Sequence, residues 1–434
     1  MKKSYKSNLL FLKGLVLFAL SVSCTQENTT FNPNSVYVNY ENGRATLYRA
    51  GAPYYIKGGS GRDHIEKIGE NGGNSVRTWS LHEAEELLDK AHEHDMTVTL
   101  GIEIGRPYWG EDFNYWNWFA VSRKIEELRP IIRKYKDHPA LLMWGVGNEV
   151  ELQGGNKYLV YLMTNRVAKM IKEEDPNHPT MMATSVKLIG RSGILLSNID
   201  IMGYNSFGKT PLFFEENKNY VPRGWKKAYL FSEIGPPGHW EINETEWGAP
   251  IEMDISEKLA FLQKYWDFID SDTVSLLGSY SFYWGYKHEI TATWFSHFSK
   301  EGAEAETVKF LKTKWRGENP TNFPPRLSPI KINQQFPDIN TYLVADSLFQ
   351  AHIEAFDPES DSVTYRWELW QEEINFHEMN SYNYNMEHLL FDQDSSTLTF
   401  RTPKNEGAYR LYIYAFDNQG NFVSRNLPFY AINR

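Results

Sequence analysis

Cysteine is almost absent from this sequence of 434 residues, because Cys24 is the only one. Without a thiol pair, the chain can hold neither a disulfide framework nor a cysteine-ligated metal, so packing has to stabilise its fold. An excess of positive charge is also missing, since 45 basic side chains stand against 55 acidic ones and give a net charge of −10. A nucleic-acid-binding protein neutralises phosphates with a basic face, so no nucleic-acid partner is expected.

Long hydrophobic runs are missing too, and the run near the N-terminus is short. Lysines at positions 2, 3, 6 and 13 precede the apolar run Gly14–Leu20 and a stretch of small residues. This is the pattern of a secretory signal over residues 1–23, since a membrane-spanning helix needs about 20 apolar residues. Cys24 follows directly, which resembles a bacterial lipoprotein signal, although Ser21 stands where the usual motif has Leu.

This N-terminal pattern predicts an exported lipoprotein in which Cys24 becomes the lipidated first residue of the mature chain. We therefore expect the protein in the cell envelope or at the cell surface, with contact to a membrane only through the lipid anchor. A periplasmic or secreted protein without an anchor is the alternative.

The next segments alternate between strand and helix patterns. After a polar tether over residues 24–35, the runs Val36–Tyr40 and Arg44–Tyr48 flank the turn residues Glu41–Gly43 and predict a hairpin. Eight further strand-like runs follow it: Pro53–Lys57, Ser75–Trp79, Thr97–Ile102, Leu141–Val146, Thr180–Thr184, Ile199–Gly203, Ala228–Phe231 and Leu277–Trp284. Helical patterns between them include Leu81–His94, Ala120–Tyr135, Lys157–Glu174 and Ser256–Ile269.

Eight strands alternating with helices over about 260 residues predict a (β/α)8 TIM barrel, which with its N-terminal hairpin occupies residues 36–317. Periodicity alone also allows a doubly wound open sheet. Pro130 is expected to kink its helix or to mark where the helix begins.

A proline-rich linker over residues 318–325 separates the barrel from a segment with strand-like runs and turn clusters but no helical period. Residues 326–434 therefore predict a C-terminal immunoglobulin-like β-sandwich.

Two glutamates stand where a barrel carries its chemistry, at the carboxyl ends of strands. Glu149 follows the fourth strand and Glu233 follows the seventh, so both can project into one cavity. Glycoside hydrolysis with retention needs such a pair, one carboxyl to protonate the departing oxygen and one to attack the anomeric carbon, about 5 to 5.5 Å apart. Asn148 can donate a hydrogen bond to the neighbouring 2-hydroxyl. The plain alternative is that both glutamates are merely solvated.

The segments Trp144–Glu149 and Phe231–Gly235 resemble the signature of clan A retaining glycoside hydrolases, close to the family 2 type of barrel. The resemblance implies that Glu149 is the acid/base and Glu233 the nucleophile. The clan also places an Arg at the end of strand two and a Trp at the end of strand eight. Arg77 and Trp284 occupy these two positions in the sequence.

The domain order narrows the resemblance further. The sandwich domains that precede the barrel in family 2 enzymes have no counterpart, and a barrel followed by one immunoglobulin-like domain is similar to glycoside hydrolase family 158, the endo-β-1,3-glucanases. One position departs from the clan pattern. The clan often has a tyrosine two residues after the asparagine of the sixth strand, and here Phe207 stands two residues after Asn205. A tyrosine that orients the nucleophile then has to come from elsewhere, with Tyr204 as the candidate.

Other residues are assigned to substrate binding, and Tyr204 and Asn205 are among them. Arg77 is expected to hold Glu233 ionised and oriented, with a structural salt bridge as the alternative. Trp284 is expected to form an apolar platform under the sugar, and further platforms are Trp109, Trp116 and Trp240. Core or loop packing explains each of these three tryptophans equally well.

Rival sites carry less support. Glu103 ends the third strand and is the main rival for a catalytic carboxylate. No compact spacing such as His-Glu-x-x-His predicts a catalytic metal, and no cofactor is expected. The acidic turn with Asp357, Glu359 and Asp361 allows calcium binding, but a solvated turn is the more common structure.

The sequence therefore predicts a retaining glycoside hydrolase that acts on a neutral β-linked polysaccharide or oligosaccharide, with endo-acting cleavage of β-1,3-glucan as the first candidate. A transglycosylase with the same site and a non-catalytic glycan-binding lipoprotein are the alternatives.

Overall fold

The computed structural model describes residues 32–107, 110–152, 156–185, 195–208, 227–372 and 386–433. Pro33–Arg434 form one compact unit. The predicted signal and Cys24 lie outside the described residues. Among the helices described in those ranges, none is both long enough and apolar enough to cross a membrane.

The N-terminal segment forms the expected hairpin. Strands β1 (Val36–Glu41) and β2 (Arg44–Arg49) pair antiparallel, and β3 (Ala52–Pro53) pairs with β2. Asn42 and Gly43 form the two-residue turn with φ values of 52° and 78°, the left-handed conformation that such hairpin turns require.

The hairpin closes the amino end of the barrel. Val36 donates its backbone N–H to the carbonyl of Asn177, and Ala45 donates to that of Val274. Val36 and Leu47 are buried in one hydrophobic cluster with Leu142 and other side chains from the barrel strands. The hairpin does not cover the opposite, carboxyl end of the barrel, which is where barrels of this kind carry their functional sites.

Eight parallel strands form a closed barrel in chain order. They are β4 (Ile56–Ser60), β5 (Ser75–Arg77), β6 (Thr97–Ile102), β7 (Leu141–Asn148), β8 (Thr180–Ser185), β9 (Ile201–Phe207), β10 (Tyr229–Gly235) and β11 (Leu276–Phe282). The last strand pairs with the first, with Gly278 opposite Ile56. This closure excludes the open-sheet alternative and confirms the predicted barrel.

In the described residues, helices follow six of the eight barrel strands. They are α1 (Ile65–Glu70), α2 (Ala84–Glu93), α3 (Trp118–Tyr135), α4 (Lys157–Glu174), α5 (Ile255–Ser271) and α6 (Glu306–Arg316). At the start of α5, the Glu257 N–H donates to the Asp254 carboxylate at 3.0 Å and the Asp254 N–H donates back to Glu257 at 2.9 Å. Pro130 lies inside α3, which begins at Trp118, so the proline does not mark the start of this helix.

Two four-stranded sheets form the C-terminal sandwich. One contains β13 (Lys331–Ile332), β15 (Leu348–His352), β18 (Leu390–Phe391) and β19 (Thr397–Arg401). The other contains β14 (Thr341–Val344), β17 (Thr364–Gln371), β20 (Gly407–Phe416) and β21 (Phe422–Ile432). A short pair, β12 (Arg326–Leu327) and β16 (Ala355–Phe356), flanks them. Neighbouring strands are antiparallel except β14 and β21, and Trp367, Phe400 and Phe429 lie in the shared core.

The sandwich packs against the loop that connects β10 to α5, residues 236–254. Arg410 is 1% exposed, forms an ion pair with Glu372 at 2.8 Å and donates to the carbonyl of Pro250 at 2.7 Å. Asn426 donates to the Glu252 carboxylate at 2.7 Å. The second domain thus holds a loop that begins directly after strand β10.

Candidate active site

A cavity of about 770 Å³ opens at the carboxyl ends of the barrel strands. Asn148 and Glu149 reach it from the end of β7, Glu233 from β10, and Glu103 from the loop after β6. These residues come from the ends of three different strands but share one cavity, as the barrel topology requires. Its aromatic wall comprises Trp79, Phe207, Trp240, Phe282 and Tyr283.

Backbone irregularities direct Asn148 and Glu149 into the same space. Consecutive residues of a regular strand point to opposite faces. Here the pairing of β7 with β8 shifts between Gly145 and Asn148, and Glu149 has a φ of 45°. Gly147 permits the bend, because its φ is 79° and a Cβ there would lie 2.3 Å from a methyl carbon of Val150. Such bulges often redirect side chains at active sites.

Glu233 is aimed by a second bulge. Phe231 pairs with Tyr204 of β9, while Glu233 pairs with the next residue, Asn205, so β10 carries one extra residue. Arg77 donates to Glu233 Oε1 at 2.8 Å, and the indole N–H of Trp79 donates to the same oxygen at 2.8 Å. Both donors come from the end of β5, two positions apart in sequence. They fix the orientation of the Glu233 carboxylate.

The same guanidinium also positions Asn148. Arg77 Nη2 donates to Asn148 Oδ1 at 2.6 Å, and Asn205 Nδ2 donates to that oxygen at 3.1 Å. Ser232 donates to Asn205 Oδ1 at 2.7 Å, which sets the orientation of the second amide. Because Asn148 Oδ1 accepts two hydrogen bonds, its Nδ2 group is the donor side of this amide.

The surroundings of Glu149 raise the pKa of its carboxyl group, as a general acid requires. Its pKa is raised to about 8, first by burial and then by the nearby charges of Glu233 and Glu151, against a hydrogen bond from Asn205 and the charge of Arg77. At neutral pH its carboxyl group is therefore protonated and able to donate a proton. The charge of Glu233 acts on Glu149 because the two carboxyl groups face one cavity.

Glu151 adds a third carboxyl group beside this pair. Its pKa is raised by burial, and it accepts hydrogen bonds from the Thr184 hydroxyl and, at 3.0 Å, from the Ser185 backbone N–H. It lies two residues beyond Glu149, in the 3-10 helix Val150–Leu152. Nothing in the sequence pattern distinguished this residue.

Two predicted site residues lie away from the cavity. Trp284 is 0% exposed, donates its indole N–H to the carbonyl of His64 at 2.9 Å and packs against Trp315. The prediction that Trp284 forms a sugar platform is therefore wrong, because no face of its ring is accessible. Tyr204 is also fully buried and packs against Tyr229, since it alternates with the inward-facing Asn205. Its predicted contact with the nucleophile has no support in this geometry.

The remaining predicted platforms have different positions. Trp240 lines the cavity, is 52% exposed and stands edge to face with Phe207 at 5.7 Å. Trp116 is 73% exposed and is not among the described residues that line the cavity. Trp109 lies outside the described residues. Tyr283, which sequence reasoning did not single out, stacks on Trp79 with ring centroids 5.9 Å apart and an angle of 5°.

The charged residues at the cavity rim are paired with one another. Glu103, the rival catalytic carboxylate, forms an ion pair with Arg106 at 2.8 Å and is 40% exposed. Lys287 lies 2.6 Å from the Glu289 carboxylate. Glu103 therefore lacks the buried surroundings that distinguish Glu149.

Comparison with known proteins finds distant relatives among glycoside hydrolases, although no protein-family model matches the chain. A β-glucuronidase from Chlorocebus aethiops is 25% identical over 206 residues, 45% of this chain and 28% of that protein. Mannan endo-1,4-β-mannosidase F from Aspergillus fumigatus is 33% identical over 136 residues, 30% of this chain and 28% of that protein. The chain thus spans less than a third of the length of these curated relatives.

Solved structures show the same fold. The β-glucuronidase of Ruminococcus gnavus gives a TM-score of 0.51 at 14% identity, covering 66% of this chain and 53% of that chain. The Bifidobacterium dentium β-glucuronidase, complexed with coumarin-3-O-glucuronide, gives 0.51 at 15% identity, covering 65% and 49%. The chain is thus distantly homologous to family 2 β-glucuronidases and family 5 mannanases, and its barrel is the clan A glycoside hydrolase fold.

Proposed function

We propose that this protein is a retaining glycoside hydrolase, with Glu149 as the acid/base and Glu233 as the nucleophile. One observation carries the proposal: two carboxyl groups share a cavity but have opposite surroundings. Burial and like charge raise the pKa of Glu149 to about 8. Glu233 instead accepts hydrogen bonds from Arg77 and Trp79. Opposite surroundings of this kind suit the retaining mechanism, in which one carboxyl group donates a proton and the other attacks the anomeric carbon.

The roles follow from these surroundings. Glu149 donates its proton to the glycosidic oxygen while Glu233 attacks the anomeric carbon, so the sugar becomes covalently bound to Glu233 and the rest of the chain departs. The ionised Glu149 then takes a proton from water, which displaces Glu233 and restores both groups. Asn148 donates to the sugar 2-hydroxyl, a hydrogen bond that strengthens in the transition state.

We propose a neutral β-linked glucan as substrate, with internal β-1,3 linkages as the first candidate. The aromatic wall of the cavity suits the apolar C–H faces of pyranose rings. Arg106 and Lys287, the two cationic side chains among the described lining residues, are each paired with a glutamate. A sugar carboxylate would have to displace one of those partners, so a neutral sugar fits better than a glucuronide.

A polysaccharide panel tests the proposal. Purified protein is incubated with β-1,3-glucan, β-1,4-glucan, β-mannan and an aryl β-glucuronide, and the reducing ends and product lengths are measured. We expect cleavage of the β-1,3-glucan and a loss of at least about a thousand-fold in Glu233→Gln, because the covalent step is removed. Glu103→Gln, a glutamate of the same cavity, is the matched control and is expected to retain activity.

Other outcomes of this panel would contradict the proposal in distinct ways. Products longer than the substrate would indicate a transglycosylase, and tight binding without new reducing ends would indicate a glycan-binding protein. Full activity in Glu233→Gln would exclude this residue as the nucleophile.

We also propose that the protein is exported and anchored by a lipid on Cys24. The support is the order of lysines, apolar run and small residues before the single cysteine of the chain.

A further inference from the structure

Three aspartates converge in the C-terminal sandwich, in a different part of the molecule from the cavity residues. Asp357, Asp361 and Asp417 each place one carboxylate oxygen within 4.8 Å of the other two. Asp357 and Asp361 belong to the turn after β16, and Asp417 follows β20. Asp357 is 6% exposed and Asp417 is 8% exposed, while Asp361 is half-buried. Within the acidic turn, Glu359 is exposed as expected, but Asp357 is buried.

In the described part of the chain, none of the three aspartates forms an ion pair with a lysine or arginine. Three carboxylates brought together in this way repel one another, and burial strengthens the repulsion by lowering the local dielectric constant.

Among the described residues, two buried oxygens in this cluster also have no hydrogen-bond partner. Asp357 Oδ1 accepts the backbone N–H groups of Glu359 at 3.0 Å and Asp361 at 2.8 Å, but its Oδ2 accepts none. Asn421 is 1% exposed, its Nδ2 donates to Asp417 at 2.6 Å, and its Oδ1 is likewise without a donor. Buried acceptors without a partner are rare and costly, and a bound cation is one group that satisfies them.

We propose that Asp357, Asp361 and Asp417 bind one calcium ion. Calcium takes oxygen ligands at about 2.3 to 2.6 Å, so two oxygens on one ion can lie up to about 5 Å apart, in agreement with the spacing of this cluster. Zinc prefers nitrogen and sulfur ligands, and the cluster contains neither histidine nor cysteine. The amide oxygen of Asn421 is a further oxygen of the same type.

The position of the site gives it a structural role at the junction of the two domains. Asn322 of the linker donates to Asp361 Oδ2 at 2.7 Å and accepts a hydrogen bond from Asn421 Nδ2. On the other side of the loop, Glu304 donates its backbone N–H to Gly420 at 2.8 Å and accepts one from Phe422 at 2.9 Å. Calcium at the three aspartates would therefore hold the linker and the segment before α6 against the sandwich.

Calorimetric titration and thermal unfolding of the full chain test the site. Protein treated with EGTA is dialysed and titrated with CaCl2, and its Tm is measured with and without Ca²⁺. We expect one ion per chain and, at about a hundred times the dissociation constant, a rise in Tm of roughly 5 °C. The test is independent of the proposed glycoside hydrolase activity, because binding and unfolding are measured without substrate.

Asp361→Asn supplies the decisive comparison, because it removes one charge but keeps an acceptor for Asn322. We expect this variant, and Asp417→Asn as a second one, to lose both the binding heat and the rise in Tm. Asp394→Asn changes an exposed aspartate of the same domain and should respond to Ca²⁺ as the wild type does. No response in the wild type, an unchanged response in both cluster variants, or an equal response to Mg²⁺ would each overturn the proposal.

Discussion

At the residue scale, one arginine organises both halves of the site. Arg77 is 2% exposed and contacts the nucleophile candidate Glu233 and the sugar-binding candidate Asn148 at the same time. Within the described residues Glu149 receives no comparable direct ion pair, and burial is the largest cause of its raised pKa. Two carboxyl groups that look alike in sequence therefore acquire different chemistry from their neighbours.

The protonation of Glu149 predicts the alkaline limb of the pH profile. Because the pKa of Glu149 is raised to about 8, the group is protonated below that pH and loses its proton above it. We expect kcat/KM to fall tenfold per pH unit above about pH 8, as the general acid is lost. On an aryl β-glycoside whose leaving group needs no protonation, Glu149→Gln should lack this limb. A limb unchanged in Glu149→Gln would exclude Glu149 as its origin.

A substitution of Trp79 is expected to lower kcat through the proposed nucleophile, Glu233. Trp79→Phe keeps an aromatic ring in the cavity wall but removes the N–H that donates to Glu233 Oε1. A hydrogen bond to a charged group contributes about 1.5 to 3 kcal/mol, so kcat should fall by about ten- to a hundredfold. Trp116→Phe, the same exchange at an exposed position, is the control. An effect confined to KM would show that Trp79 contributes stacking alone.

At the element scale, strands β7 and β10 depart from regular pairing where they carry their glutamates, and the β10–α5 loop depends on the second domain. That loop contains Trp240 of the cavity wall as well as Pro250 and Glu252, which bind Arg410 and Asn426 of the sandwich. The sandwich thus supports one wall of the candidate active site through a contact that is separate from its own core.

A substitution of Arg410 tests how strongly the sandwich supports the β10–α5 loop. Arg410→Ala leaves the buried Glu372 without its partner, which costs about 3 to 5 kcal/mol for a pair of this kind. We expect a lower Tm, and a higher KM because the loop carrying Trp240 loses its contact at Pro250. Arg401→Ala removes an exposed pair with Asp346 and should cost at most about 1 kcal/mol. Equal effects of both substitutions would contradict a supporting role for the junction.

At the scale of the whole molecule, the regular part of the barrel could be predicted, because long apolar strands alternate with helices. The helix Lys157–Glu174 and the strand Thr97–Ile102 have the predicted bounds. Helix α1 has six residues, too few for a periodic pattern, and the first barrel strand begins at Ile56 instead of Pro53. Short elements and strand ends depend on pairing partners that are distant in sequence.

The N-terminal signal predicts where the whole molecule resides. Expressed in a bacterial host with the lipoprotein pathway, the protein should incorporate radiolabelled palmitate and fractionate with membranes. Cys24→Ser should remove the label and release the protein into the soluble fraction, since a lipid on Cys24 is the only membrane contact proposed. Labelling that persists in Cys24→Ser would disprove this anchor.

The sequence by itself determined the barrel, the following sandwich and the position of Glu149 and Glu233 at strand ends, because these depend on local periodicity and chain order. Only the tertiary structure decided which aromatic side chains face the cavity. After β11 the chain turns so that Tyr283 lines the cavity while Trp284 enters the core, and no periodic pattern specifies that turn. The aspartate cluster could likewise not be predicted from the sequence. Its members lie on two turns that are distant along the chain, and only the packing of the sandwich brings these turns together.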